Sequence, residues 1–495
     1  MMSLIDVTGF AKRNMWRQPA GHLSVRPGLR RMTTPAVGRK WVAGFSVQNP
    51  WTLEVWHYIA DVTTAGADLK VLILDENFAV WQSFDTGTNS IPRGFSHGVV
   101  EGEIMIGSPD MPTLWGIVGS GIQLAQKVAS DNPSTTAIEV PRGIVSAVLN
   151  RIVIADGASL FISDPVAVTG GSPQTFVGQN QNQRPGVVFG IHEGAGGNVV
   201  VVTSAGVYSL DPSAFAVQVV GSNGTDWRMV SHAEAASYDS SCNVDGRIYA
   251  LTKRGYALVD TETSEEVTLD DPMQPRLFGP RIASLDWRAA RIYAGEDGPI
   301  VAITDYADLT DLASGLRSWW GCDVGSTFNV RGALKDSDGA TMLLCEDGVY
   351  AIGGNVDGGQ LLSSAAGTQG KGVLAGIIPT GPDDNTTVRR MQASASVGGV
   401  GTIQMAVRGS AGTPFPSSTP PADSRSMVID TSSWGASGVI YQPTPLATVR
   451  DDTDYNTDDL AVEVAVSVPD ARVGGLLLIN NSDSAPKRSV HRGPP

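Results

Sequence analysis

The chain has 495 residues, of which 42% are apolar and only 17% charged, with a formal net charge of −15. That length exceeds one ordinary hydrophobic core, so two or three folded units are expected. The acidic balance argues against general affinity for nucleic acid, which needs a basic surface.

Residues 1–40 carry Lys12, Arg13, Arg17, Arg26, Arg30, Arg31, Arg39 and Lys40 against Asp6 alone, a local charge of +7. The other 455 residues therefore sum to −22. With Pro19, Gly21, Pro27, Gly28 and Pro35, this segment reads as an extended basic arm on an acidic body, suited to docking on a neighbour. Arg13, Arg17, Arg26, Arg30 and Arg31 are its candidate docking residues. The start lacks a basic stretch followed by an apolar core, so no secretion signal is expected. No apolar run is long enough for a membrane span.

From residue 41 to about 360 the sequence repeats. Short apolar strands alternate with turns rich in Gly, Asp and Asn, and 57 glycines supply many of those turns. One unit, strand–tight turn–strand, recurs at 245–262 (DGRIYALTKRGYALVDTE), 338–355 (DGATMLLCEDGVYAIGGN), 197–214 and 149–166. Further copies start at 68, 102 and 290. Successive starts differ by 34, 47, 48, 48, 45 and 48 residues, the length of one four-stranded β-propeller blade. The reading is all-β: a six- or seven-bladed propeller over 41–360, with the visible hairpin as the inner strand pair. A single blade cannot bury both faces, whereas ring stacking does.

Residues 361–386 read as a Gly-rich linker. A C-terminal β-sandwich-like domain is predicted over 387–482, with strands at 387–396 and 401–408 joined by a turn at 398–401, and two more at 460–468 and 473–479. Residues 483–495 read as a flexible tail.

Candidate chemistry is sparse. The sequence has no H-E-x-x-H pair or phosphate-binding loop; Gly367–Gly372 lacks the first Gly and the final Ser/Thr of such a loop. Cys242, Cys322 and Cys345 are too few and too scattered for a disulfide or zinc framework, and read as buried apolar residues. Histidines 22, 57, 97, 192, 232 and 491 never take metal-ligand spacing. Asp156, Asp164, Asp260, Asp305 and Asp347 recur at turns or strand ends, where short acids cap the backbone. Carboxylate pairs at a propeller mouth can also cleave glycans. Asp452, Asp454, Asn456, Asp458 and Glu463 have the spacing of a Ca²⁺ loop, but Thr457 stands where the turn wants Gly. Trp41, Trp51, Trp56, Trp81 and Trp115 are expected to fill gaps between blades. No cofactor, no catalytic residue and no enzymatic activity are expected.

Short elements of the chain resemble the tail hub, or nozzle, proteins of short-tailed bacteriophages (the packaged-DNA stabilisation, tail tubular protein B-like family). Gly21-His22-Leu23-Ser24-Val25-Arg26-Pro27-Gly28 is similar to their N-terminal G-x-L-x-x-R-P-G element. Asn150-Arg151 followed by Phe161-Ile162-Ser163-Asp164 resembles an early blade, and Ser318-Trp319-Trp320 the strand before the last blade. The resemblance implies a structural virion protein of the tail, made in the host cytoplasm. It implies a homo-hexamer docked below the portal or adaptor ring and touching tail fibre or spike proteins. DNA would pass through its channel without sequence-specific binding and be retained until ejection. Two rival classes stand beside it: a tail propeller that binds or cleaves host-surface glycan, and a head-completion protein of a long-tailed phage.

Overall fold

The computed structural model describes residues 28–125, 140–163, 186–212, 227–251, 291–302 and 329–353, apart from 195, 233, 236 and 297. Elsewhere it places strand backbones only. The elements it places in full are strands.

The repeat resolves into consecutive four-stranded antiparallel meanders. The first sheet comprises Arg39–Gln48, Val55–Thr63, Leu69–Leu74 and Val80–Thr88. The second comprises Ser96–Val100, Glu103–Ser108, Met111–Ile117 and Gly121–Leu124. The third, fourth and fifth open with Ile144–Val148, Val188–Glu193 and Ser241–Val244. A sixth meander, Arg291–Ala294 to Leu316–Gly321, forms one end of a nine-stranded sheet. The seventh contains Val330–Lys335, Thr341–Cys345 and Gly348–Ile352, and takes its fourth strand, Leu29–Thr33, from near the N-terminus.

The opening strands of consecutive sheets pack on one another from the second sheet to the seventh, and Val330–Lys335 of the seventh packs on Arg39–Gln48 of the first. The first and second sheets share a core that includes Val42, Phe45, Tyr58, Val71, Ile104 and Leu114. The succession of sheets thus returns to its start. Leu29–Thr33 locks that return, pairing antiparallel to Gly348–Ile352 between Leu29↔Ile352 and Thr33↔Val349.

Backbone contact at these junctions requires glycine. A Cβ on Gly98 would lie 2.5 Å from the carbonyl carbon of Ser146, and one on Gly332 would lie 2.6 Å from the carbonyl oxygen of Gly44. Both glycines sit on opening strands, where side chains would force the sheets apart.

The second strands of the sheets begin at Val55, Glu103, Arg151, Val199 and Arg247, a constant interval of 48 residues, and then at Pro299 and Thr341. The unit found in the sequence is therefore the middle pair of strands in five of the sheets, not the inner pair. The copy at 68 covers the outer pair of the first sheet, and the copy at 290 covers the first pair of the sixth. The short first interval is an error of phase, not a shorter sheet.

The ends also differ from expectation. Residues 1–40 are not a detached arm. Met2–Ile5 pairs with Arg472–Asn481, Ala11–Arg13 with Gly372–Pro379, and Met15–Arg17 with Leu23–Val25, which in turn pairs with Arg472–Asn481. The expected linker contains the strand Gly372–Pro379, paired to Asp459–Val466. Thr387–Ser396 and Thr402–Gly409 do not form a hairpin. The former pairs with Arg472–Asn481 in a five-stranded sheet, the latter with Asp459–Val466 and Arg425–Asp430 in the nine-stranded one.

Candidate functional site

The five docking arginines do not gather on one free segment. Arg13 and Arg17 lie in paired strands, Arg13 opposite Val373 and beside Trp319, and Arg17 opposite Leu23. Arg26 lies outside the described residues. Arg30 and Arg31 sit in the strand that completes the seventh sheet, where Arg30 is exposed and Arg31 reaches Asp347 at 3.9 Å. Strand pairing fixes these residues because alternate side chains of Leu29–Thr33 must serve the seventh core, in which Leu29 is fully buried.

One end of the sheets carries guanidinium–carboxylate pairs. Arg39 bonds Asp61 through Nε and Asp68 through Nη1 (2.7 Å), while its Nη2 donates to the carbonyls of Asp61 (3.1 Å) and Asp68 (2.7 Å). Burial raises the pKa of Asp61 against the pull of Arg39, whereas the bond from Arg39 lowers that of exposed Asp68. Arg93 grips Asp110 with two nitrogens (2.8 and 2.7 Å) and lies 5.6 Å above the ring of Tyr238. Arg331 pairs with Glu346, and Arg291 approaches Asp239 at 3.7 Å. These are satisfied pairs that tie strands together, a structural arrangement.

Two acids outside the recurrent set cap turns. Asp75 Oδ1 accepts the amides of Asn77 and Ala79, and Asp336 Oδ1 those of Asp338 and Ala340. Asp347 accepts the Tyr350 hydroxyl at 2.7 Å, and Asp156 is exposed at a strand end. Asp164, Asp260 and Asp305 lie outside the described residues.

Three histidines are held neutral. His57 is fully buried, stacked on Phe78 with ring centroids 4.8 Å apart, and its Nδ1 lies 2.9 Å from Ser46 Oγ. Burial lowers its pKa to about 4. The same Ser46 oxygen accepts the Lys335 amide at 2.9 Å. His97, stacked on Phe45 at 3.8 Å, and His192, whose Nε2 lies 2.9 Å from Ser241 Oγ, are likewise lowered to about 4 by burial. None faces a metal partner; the described residues contain no metal-holding group of His, Cys, Asp and Glu. Asp452, Asp454, Asn456 and Asp458 lie outside the described residues, and Glu463 sits mid-strand between Ala375 and Ala406. Cys242 and Cys345 are buried thiols, and burial pushes Cys242 far up; Cys322 lies outside the described residues.

The tryptophans divide. Trp41 is buried at 3% exposure, and Trp56 and Trp115 are half-buried. Trp51 and Trp81 are 59% and 63% exposed, which corrects the expectation that all five fill gaps between sheets. Alternation in the outer strand Val80–Thr88 could have flagged Trp81, since one side of an outermost strand has no partner. No sequence signal marks Trp51, which stands in the turn after Gln48.

No family model and no curated protein matches the chain. Among solved structures it is similar to a streptogramin B lyase (12% identity, TM-score 0.39, 66% of this chain and 97% of that one). It is also similar to YCF48 bound to a D1 peptide (11%, 0.37, 66% and 97%) and to PorZ of Porphyromonas gingivalis (13%, 0.38, 75% and 44%). These likenesses carry nothing about activity or partners. The fold rests on the strand pairing: an all-β chain whose repeats are successive four-stranded antiparallel sheets.

Proposed function

We propose that this chain is a non-enzymatic structural protein of a phage tail, a hub that surrounds the path of the DNA. Its body is a seven-bladed β-propeller, and its two ends join in a β-sandwich-like module beside the sixth and seventh blades. The observation that carries the reading is the closure of the ring. The last sheet is completed by Leu29–Thr33, drawn from the opposite end of the sequence, so parting the first and seventh sheets requires breaking a strand ladder. A subunit locked in this way is a rigid block for a ring of copies around pressurised DNA. The −22 charge of residues 41–495 supports it further, because a negative wall repels the DNA backbone and lets it slide.

The test is the mass of the protein in solution, alone and mixed with its virion's adaptor ring, by light scattering. The expected result is a six-fold multiple of the monomer on the ring. A chain that stays monomeric and ignores the ring overturns the reading.

A further inference from the structure

Four turns lie at the same end of the first two sheets, 49–54, 75–79, 101–102 and 118–120, and the Val118 amide bonds the Gly102 carbonyl at 2.9 Å. Trp51 lies across Gly102, where a Cβ would sit 2.2 Å from the indole. Trp56 lies against Gly119, where a Cβ would sit 2.7 Å from its Nε1. Trp81 meets Trp56 edge-on with ring centroids 6.1 Å apart. The two sheets are pinned here by Asn49 Nδ2 to the Val118 carbonyl (3.1 Å) and by Gln82, which bonds both the amide and the carbonyl of Ile122 (2.8 and 3.2 Å). The glycines thus let two indoles of one sheet, Trp51 and Trp56, rest on the turns of the next, with Trp81 against the second of them. Leu53, Val80 and Ile117 are exposed around them. Five of the ten large apolar side chains exposed among the described residues belong to this corner, and such concentration marks a contact surface.

The charges around it have one sign. Glu54, Glu76 and Glu101 are exposed on these turns, with Asp75 and Glu103 partly exposed beside them. Residues 41–126 contain only two bases, Lys70 and Arg93, and both sit at the other end of the sheets, facing Asp68 and Asp110. An exposed indole face surrounded by carboxylates attracts a cation twice, through the ring quadrupole and through the charge. The chain already uses this chemistry internally: Arg93 is held between the Tyr238 ring and the Asp110 carboxylate.

We propose that this corner is the docking surface for a basic polypeptide segment of a partner protein, whose Arg or Lys side chains lie over Trp51 and Trp81 and point at Glu54, Glu76 and Glu101. The surface is independent of the tail-hub reading and stands or falls separately.

The test uses the full chain, at physiological ionic strength, titrated calorimetrically with a short Arg-Gly repeat peptide. A Gln-Gly repeat of the same length and a neutral oligosaccharide are the comparison probes. The peptide is expected to bind the native chain, and Trp51→Ala/Trp81→Ala is expected to weaken it roughly tenfold. Glu54→Gln/Glu101→Gln is expected to weaken it as well while leaving the indoles in place, so it carries the test if the tryptophan variant fails to fold. Peptide binding that both variants leave unchanged would expose mere attraction to an acidic protein and overturn the proposal. So would Trp-dependent binding of the oligosaccharide alone, or no binding of any probe.

Discussion

Arg39 belongs by sequence to the basic N-terminal segment, yet its guanidinium is used up inside the first sheet. It makes bonds to both the side chain and the backbone of Asp61 and Asp68, and the Asp61 side chain is only 3% exposed. Burial raises Asp61 even with Arg39 in place, so the pair contributes less by its attraction than its rupture would cost. Arg39→Ala is expected to destabilise the protein by about 3–5 kcal/mol in urea denaturation, because it strands a buried carboxylate. Adding Asp61→Asn to that variant should recover part of the loss. His57 sets a pH dependence. Its folded pKa, about 4, lies below the ordinary 6.5, so between those values the unfolded chain binds a proton that the folded chain refuses. Stability is therefore full above pH 6.5 and falls as pH drops toward 4, by about 3 kcal/mol for this one group. His97 and His192 act in the same direction. Denaturation at several pH values should show a slope between pH 6.5 and 4 that is shallower by up to one proton in His57→Gln, which keeps a hydrogen-bonding group opposite Ser46. An unchanged slope would mean that His57 titrates alike in the folded and the unfolded chain.

At the scale of elements, the strands were legible where two signals agreed. Runs such as Val199–Thr203 and Thr341–Cys345 are apolar, β-branched or bulky, and are followed by turns carrying Gly, so both their type and their spacing could be read. The opening strands were harder. Ser96–Val100 and Ser241–Val244 are short and half polar, and Gly98 weakens the strand signal at the very point where its missing side chain admits the backbone of Ser146. The residues that let sheets meet are therefore the ones that hide those strands from pattern reading, and phase was lost with them. The terminal strands were illegible for another reason. Met2–Ile5, Ala11–Arg13 and Gly372–Pro379 are short or glycine-bearing, and their partners lie hundreds of residues away, where no local periodicity reports them. The exposed Trp51 escaped because a tryptophan between two sheets and one lying on top of a turn have the same neighbours in sequence, whereas Trp81 was readable only once Val80–Thr88 was known as an outermost strand.

For the molecule as a whole, the decisive contact is between sequence extremes. Leu29–Thr33 is four bonded pairs of a strand ladder, and Leu29 itself is fully buried among Val330, Leu343, Cys345 and Tyr350. Gly353 also donates its amide to the carbonyl of Gly28 at 2.8 Å, extending the ladder by one step. The ladder is made by residues 28–33, beside the packing of Val330–Lys335 on Arg39–Gln48. Two truncations separate the roles. Removing residues 1–27 leaves the seventh sheet complete and is expected to keep the melting transition of the body. Removing residues 1–33 uncovers Gly348–Ile352, exposes the core beneath Leu29 and lets the first and seventh sheets part, so the transition should drop steeply or lose its cooperativity. Scanning calorimetry on the two variants decides it. Equal transitions would show that the ring holds through its opening strands alone, Val330–Lys335 against Arg39–Gln48. A loss already present on removing 1–27 would move the lock to the strands that pair with the C-terminal sheets. If the longer truncation alone fails, Leu29–Thr33 is the lock that holds the first and seventh sheets together.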